Sequence, residues 1–201
     1  FVVPVFYTLI AQDFSTAVSN MGGVVFSESH GARFADMDGD KIPDMVTGKR
    51  LMSAPGCDEV HRFAFAEARR LRLKKIHCGH KANIMKMTDG LFLDRFRAIA
   101  KDFPEIQTAD VIIDALCMNL VLKPQQYKMI VLPNLQGDIV SDLAAGLVGG
   151  LGFAPSANIG RHISIFEAVH GTAPDIAGRG IANPTSLILS GLMMLRHVGL
   201  L

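Results

Sequence analysis

The chain has 201 residues, of which 49% are apolar and 19% charged, and its formal net charge is +1. This is too apolar and too weakly charged for a disordered chain. The near-neutral balance gives no electrostatic footprint for nucleic acid or an anionic membrane. Three cysteines, Cys57, Cys78 and Cys117, form no metal-type spacing and fit a reducing compartment rather than a disulfide scaffold. No run of apolar residues is long enough to predict a membrane span. The ends, Phe1 and Leu201, read as cuts from a longer chain.

In chain order, residues 1–56 are punctuated by Gly, Ser and Asp, with short apolar runs such as Val24–Phe26. Residues 57–201 alternate helix and strand patterns. Helical spacing of Val60, Phe63, Ala64 and Ala68 predicts a helix from Asp58 to Leu71. Its acidic residues stand at the start and its arginines at the end, as the helix dipole favours. KKIHCGH predicts a strand. Thr88 is placed to cap a helix whose Phe92, Phe96 and Ile99 share a face, and Pro104 follows its end.

The β-branched runs VIID and MIVLP suit buried parallel strands, with a helix, ALCMNLVLK, between them. DIVSDLAAGLVGG predicts a helix closed by paired glycines. ISIFEAV predicts a strand, and PTSLILSGLMMLRHV a helix that is apolar nearly all round, with Pro184 at its first position. The alternation predicts an α/β fold.

Asp138 and Asp142 lie four apart on a predicted helix and therefore on one face. Like charges so placed repel unless a cation lies between them. Asp138 follows the strand MIVLP and Asp114 follows VII. Both therefore sit at carboxyl ends of strands, where α/β sheets bind ligands. Three such carboxylates form a hard-oxygen set suited to Mg²⁺ or Mn²⁺. The plain alternative is that Asp138 caps its helix and Asp142 lies on a solvated face.

Three longer segments are more specific: HKANIMKMTDGLF at 80–92, NLQGDIVSDLAAGLVGGLG at 134–152 and IFEAVHGTAPDIAGRGIANPT at 165–185. From about Cys57 to Leu201 the chain resembles the β-decarboxylating dehydrogenases, the family of isocitrate, isopropylmalate, homoisocitrate and tartrate dehydrogenases. HKANIMK with TDGLF resembles the isocitrate branch. The resemblance implies an isocitrate/isopropylmalate dehydrogenase-like fold, here partial, with a mixed sheet flanked by helices. Residues 57–135 would form the small domain for substrate and dimer contacts, and 136–201 part of the large cofactor domain.

The implied chemistry is NAD-dependent oxidative decarboxylation of a 2-hydroxy diacid, isocitrate first, with isopropylmalate or homoisocitrate as alternatives. Lys81 is the implied acid/base catalyst with Asp114, and Asn83 the substrate contact. His80 reads as a packed neighbour. The implied metal ligands are Asp114, Asp138 and Asp142, the trio already picked out by spacing, for Mg²⁺ or Mn²⁺. The developing enolate charge is the physical need for that cation.

HGTAPDIAG resembles the cofactor loop of the family. His170, Gly171, Thr172, Ala173, Pro174, Asp175, Ile176 and Asn183 would hold the dinucleotide. Asp175 and Ile176 stand where NADP-dependent members often carry Lys and Tyr. A carboxylate there accepts from ribose hydroxyls and repels a 2′-phosphate, which points to NAD. The resemblance also implies a homodimer or related hetero-oligomer with shared active sites. Lys81 and Asp114 would work with Asp138 and Asp142 of the partner, and the helices near 92–99 and 138–151 would be partly interface.

The sequence departs from that pattern in places. The family's Ser/Thr-Asn…Leu-Arg substrate motif and upstream tyrosine are absent, and Gln136 stands where Tyr or Asn is common. Residues 1–56 match poorly. Within them, Asp36, Asp38, Asp40 and Asp44 resemble the calcium loop of FG-GAP propeller repeats; the alternative is a diverged acidic turn. Other classes weighed are a non-catalytic regulatory subunit and a calcium-binding module. With no transit-like segment visible, the cytoplasm is the expected compartment and the mitochondrial matrix the alternative.

Overall fold

The computed structural model describes residues 6–9, 33–35, 45–47 and 50–201. The Asp36–Asp44 loop lies outside them. Three short strands come first: β1 (Phe6–Leu9), β2 (Arg33–Ala35) and β3 (Met45–Thr47), the last two paired antiparallel. The main body follows as α1 (Ala54–Arg70), β4 (Lys75–His80), α2 (Thr88–Ala100), β5 (Gln107–Ile112) and α3 (Ile113–Leu122). It continues as β6 (Ile130–Val131), α4 (Asn134–Leu147), β7 (Pro155–Ile159), β8 (Ser164–Ala168) and α5 (Thr185–His197). The predicted α/β class holds. The segment boundaries at 56/57 and 135/136 fall inside α1 and α4.

The helix predicted from Asp58 starts four residues earlier. Ser53 caps it by accepting from the Gly56 N–H at 3.3 Å, and Pro55 fits the first turn because no N–H is needed there. Its buried stripe is Cys57, His61, Phe65 and Ala68, while Val60 and Ala64 pack at the margin. Asp58 makes a two-pronged bond to Arg95 of α2 at 2.5 and 2.6 Å, fixing the two helices side by side.

Strand β4 is buried from Ile76 to His80 because it is the middle strand of a parallel sheet ordered β5-β4-β6. Its side chains alternate between two layers. Ile76 and Cys78 face α1 and α2, where Phe65 stacks on Phe96 and Phe103 at 5.3 and 5.0 Å. Gly79 faces the other way. A Cβ on it would lie 2.3 Å from Leu132 Cδ2 and 3.1 Å from Leu116 Cδ2, so glycine lets α3 and the β6–α4 link close on the strand without either leucine shifting. Leu116, Leu120 and Val140 centre this second core.

Thr88 does not cap α2. It is the first helical residue, the cap position is Met87, and no side chain caps it. Phe92, Phe96 and Ile99 face the chain's own core, so any partner contact of this helix must use its other face. Nor does Asp138 cap α4, which begins at Asn134 one turn earlier. The paired glycines do end that helix. Gly149 and Gly150 have φ of 114° and 108°, and the Gly150 N–H returns to the Ala145 carbonyl at 2.8 Å.

A second sheet has the order β1-β7-β8, parallel for β1–β7 and antiparallel for β7–β8. Strand β7 had no counterpart among the predicted elements, since PSANI carries a Pro and little β-branched bulk. Helix α5 lies on this sheet through serines rather than through its apolar residues. Ser186 Oγ donates to the Ala154 carbonyl at 2.5 Å, and Ser190 Oγ to the Glu167 carbonyl at 2.7 Å. Leu187, Ile188 and Met194 stay exposed, contrary to the burial that an all-round apolar helix predicts.

Candidate active site

The carboxyl ends of β4, β5 and β6 lie along one edge of the parallel sheet, and each leads into a candidate residue. Lys81 directly follows β4. Asp114 stands two residues beyond β5, in the first turn of α3. His80 and Ile112 are register partners, so the two residues emerge side by side. Lys81 Nζ donates to Asp114 Oδ1 at 2.6 Å. That bond holds the Asp114 carboxyl below its ordinary value. Both side chains stay reachable from solvent, at 27% and 68% exposure.

The backbone around Lys81 is tightly held. Its N–H donates to Asp89 Oδ2 at 2.7 Å, and its carbonyl accepts from the Met85 N–H at 2.8 Å. The Ala82 N–H donates to His80 Nδ1 at 3.1 Å. That leaves the His80 proton on Nε2, which faces Asp110 Oδ2 at 3.3 Å. Burial pushes the Asp110 carboxyl up, but its bonds to Arg97 and His80 outweigh this and hold it low. His80 is thus a packed brace, as expected. Asn83 is exposed on the turn after Lys81.

Asp138 and Asp142 both lie exposed on α4, as their spacing predicts. They face a different surface from Lys81 and Asp114. With Ser141, Ser156, Asn158 and Glu167 they line an open cleft of about 400 Å³ between α4 and the β7–β8 hairpin. Neither shares a salt bridge with a basic residue among the described residues. The described residues of one chain bring together no three His, Cys, Asp or Glu side chains able to hold a metal. The pair fits a hard divalent cation in charge and donor type, with further donors required from elsewhere.

The loop after β8 is almost wholly exposed. His170 Nδ1 lies 2.9 Å from the Gly171 carbonyl and donates to it. Ala173 adopts a left-handed φ of 44°, which turns the chain into the short 3₁₀ turn Pro174–Ile176. Gly171 has open space where a Cβ would stand, and Thr172 and Asp175 are exposed. Asn183 uses its Oδ1 on the Thr185 N–H and hydroxyl at 3.0 and 2.7 Å, starting α5. An open loop of this kind, rich in backbone donors with one carboxylate, fits the ribose and adenine half of a dinucleotide. Two residues escaped the sequence reading. Asp89 lies inside the quoted TDGLF run, and Glu167 inside IFEAV, but neither motif shows which atoms they meet.

Comparison with known proteins is decisive for the family. The isocitrate/isopropylmalate dehydrogenase family matches residues 10–200. The chain belongs to the isocitrate/isopropylmalate dehydrogenase family. Subunit 2 of the mitochondrial NAD isocitrate dehydrogenase of Schizosaccharomyces pombe is 45% identical over 93% of this chain and 50% of its own length. The 3-isopropylmalate dehydrogenase of Archaeoglobus fulgidus is 56% identical over 78% of this chain and 48% of its own. The crystal structure of isocitrate dehydrogenase from Methylococcus capsulatus superposes with a TM-score of 0.78 at 48% identity. It covers 84% of this chain and 49% of the other.

This isocitrate/isopropylmalate dehydrogenase chain thus spans about half the length of the curated relatives it matches. Its family match takes in most of residues 1–56, which the sequence reading left outside the resemblance. The acidic stretch at 36–44 therefore falls within the family match. No helix among the described residues is long and apolar enough to cross a membrane.

Proposed function

We propose that the whole enzyme oxidises and decarboxylates a 2-hydroxy diacid, isocitrate first, with hydride transfer to NAD. The observation that carries this reading is the Lys81–Asp114 bond at the carboxyl edge of a parallel sheet. Lys81 Nζ is the proton-moving atom. It takes the substrate's hydroxyl proton as the carbon-bound hydrogen leaves as hydride. After loss of CO₂ it returns a proton to the enolate carbon. Asp114 holds Nζ in place and balances its charge as the proton comes and goes. Asn83 reaches a substrate carboxylate from the exposed turn.

NAD would supply the hydride acceptor, and Mg²⁺ or Mn²⁺ would supply positive charge beside the reacting oxygen. Asp138 and Asp142 of one subunit with Asp114 of another would hold the metal, a reading supported by the separation of the two half-sites in one chain. His170, Gly171, Thr172, Ala173, Pro174, Asp175, Ile176 and Asn183 would hold the adenosine half of the cofactor. The Asp175 carboxylate favours ribose hydroxyls over a 2′-phosphate.

The subunits meet through α3 and α4, whose Met118, Val121, Leu122, Leu135, Ile139 and Leu147 stand exposed. Cytoplasm remains the proposed compartment, with the mitochondrial matrix the alternative that the names of the eukaryotic relatives favour.

A second reading is a regulatory subunit. A Dictyostelium discoideum protein named as an NAD isocitrate dehydrogenase regulatory subunit is 47% identical. Against it stands the retention of Lys81, Asp114, Asp138 and Asp142 together. Assay of the full-length protein alone with NAD and Mg²⁺ separates the readings. NADH formation from isocitrate supports catalysis. Formation from isopropylmalate instead moves the substrate to that branch. No turnover with either, but activation of a catalytic partner, supports the regulatory reading.

A further inference from the structure

We propose that Asp89 is the positioning residue for Lys81, a buried carboxylate that locks the lysine-bearing turn to the start of α4. The inference rests on the reading of Lys81 as the proton-moving residue. Asp89 has no exposed surface. A buried carboxylate is costly unless every oxygen is compensated. Here Oδ1 receives Arg50 Nη1 at 2.5 Å, and the Arg50 side chain is itself only 13% exposed. Oδ2 receives the Lys81 backbone N–H and Gln136 Nε2, both at 2.7 Å.

The placement makes these bonds matter. Asp89 sits in the first turn of α2, three residues before Phe92 and seven before Phe96, both in the core. Rigidity therefore runs from the core through α2 and Asp89 to the Lys81 backbone. Gln136 lies in the first turn of α4, two residues before Asp138. It directs its amide at Asp89 while its own buried carbonyl oxygen has no hydrogen-bond partner among the described residues. One carboxylate thus ties the turn carrying the proton-moving residue to the helix carrying the other two acidic residues.

A buried ion pair is weak evidence for stability in itself, because a well-packed apolar pair often does as well. Satisfying one backbone N–H needs no charged network either. What this network adds is a fixed position for Lys81. Reacting groups displaced by about 1 Å lose about a hundredfold in rate.

The test uses the whole enzyme with isocitrate, NAD and Mn²⁺. Asp89→Asn should lower kcat about 10- to 100-fold and leave the KM for NAD unchanged. In a Lys81→Met background, assayed at high enzyme concentration, Asp89→Asn should cost almost nothing further, because its effect passes through that lysine. An unchanged kcat, or a full additional loss in the Lys81→Met background, overturns the proposal. If Asp89→Asn does not fold, Gln136→Met carries the test, since it removes one donor and strands no charge. Its kcat should fall about fivefold, and no fall overturns the proposal. A parent enzyme that turns over no 2-hydroxy diacid overturns the reading of Lys81 and this inference with it. An active parent with indifferent variants overturns this inference alone.

Discussion

Lys81 Nζ and Asp114 Oδ1 lie 2.6 Å apart although 33 residues separate them in the chain, because adjacent parallel strands end in register just before each. The bond is exposed, so it adds little to stability. Its presence at the ligand-binding edge of the sheet is what gives it meaning. Asp114→Asn keeps the shape and removes the charge. It should leave the unfolding midpoint nearly unchanged, while lowering kcat of the whole enzyme by at least about a hundredfold. Paired urea melts and steady-state rates check this.

Cofactor choice should turn on two adjacent positions. Asp175, exposed, and Ile176, half-buried, lie on the 3₁₀ turn of the loop after β8, outside both core clusters. Asp175→Lys with Ile176→Tyr replaces a repelling carboxylate by a cation that meets a 2′-phosphate. The kcat/KM ratio of NADP to NAD should rise at least about tenfold, a change of roughly 1.4 kcal/mol. Rates with each dinucleotide at fixed isocitrate measure it.

Gly79 should tolerate a side chain poorly. A Cβ would meet Leu132 Cδ2 at 2.3 Å and Leu116 Cδ2 at 3.1 Å, so both leucine side chains would have to shift. Gly79→Ala should cost about 1–3 kcal/mol, as overpacking of a core does. It should also lower activity, because Lys81 lies two residues on. Thermal melting and the rate at saturating substrate read the two effects.

Stability should fall on mild acidification through His61. Burial holds this imidazole down at about 4 from an ordinary 6.5, against the opposing pull of its bond to the Phe92 carbonyl. Nδ1 has no partner among the described residues, so protonation would bury an unmatched N–H. Between these two values the unfolded chain binds more protons than the folded one. Unfolding free energy therefore drops as pH falls below 6.5 and levels off below about 4, by an amount on the order of 3 kcal/mol. The drop in urea midpoint between pH 7 and pH 5 should be smaller in His61→Gln than in the parent.

The sequence made the Lys81 turn, the start of α4 and the cofactor loop legible, because each sits in a long run whose residue order is itself specific. Helical periodicity found every helix of the main body, with start errors at α1 and α4 where Ser53 and Pro133 set the entry. It missed β7, which has a Pro and small residues where bulk was sought. It gave no sign that Ser186 and Ser190 would be the buried residues of α5, bonding the carbonyls of Ala154 and Glu167. Asp89 was hidden because an acidic residue in a first helical turn ordinarily serves the dipole. Only three-dimensional placement shows Arg50, Lys81 and Gln136 converging on it. Asp138 and Asp142 were found by spacing, but no single-chain pattern shows that their cleft lies apart from Lys81.

The central claim is that each active site is assembled from the Lys81–Asp114 half of one chain and the Asp138–Asp142 half of another. Subunit complementation tests it directly. Lys81→Met and Asp138→Asn variants of the whole enzyme, each inactive alone, are dissociated, mixed in equal amounts and reassembled. Half of the dimers formed at random carry one variant of each kind, and each such dimer holds one site with both halves intact. Mixing should therefore restore about a quarter of the parent's isocitrate-dependent NADH formation. No recovery in a mixture shown to contain mixed dimers would contradict the account.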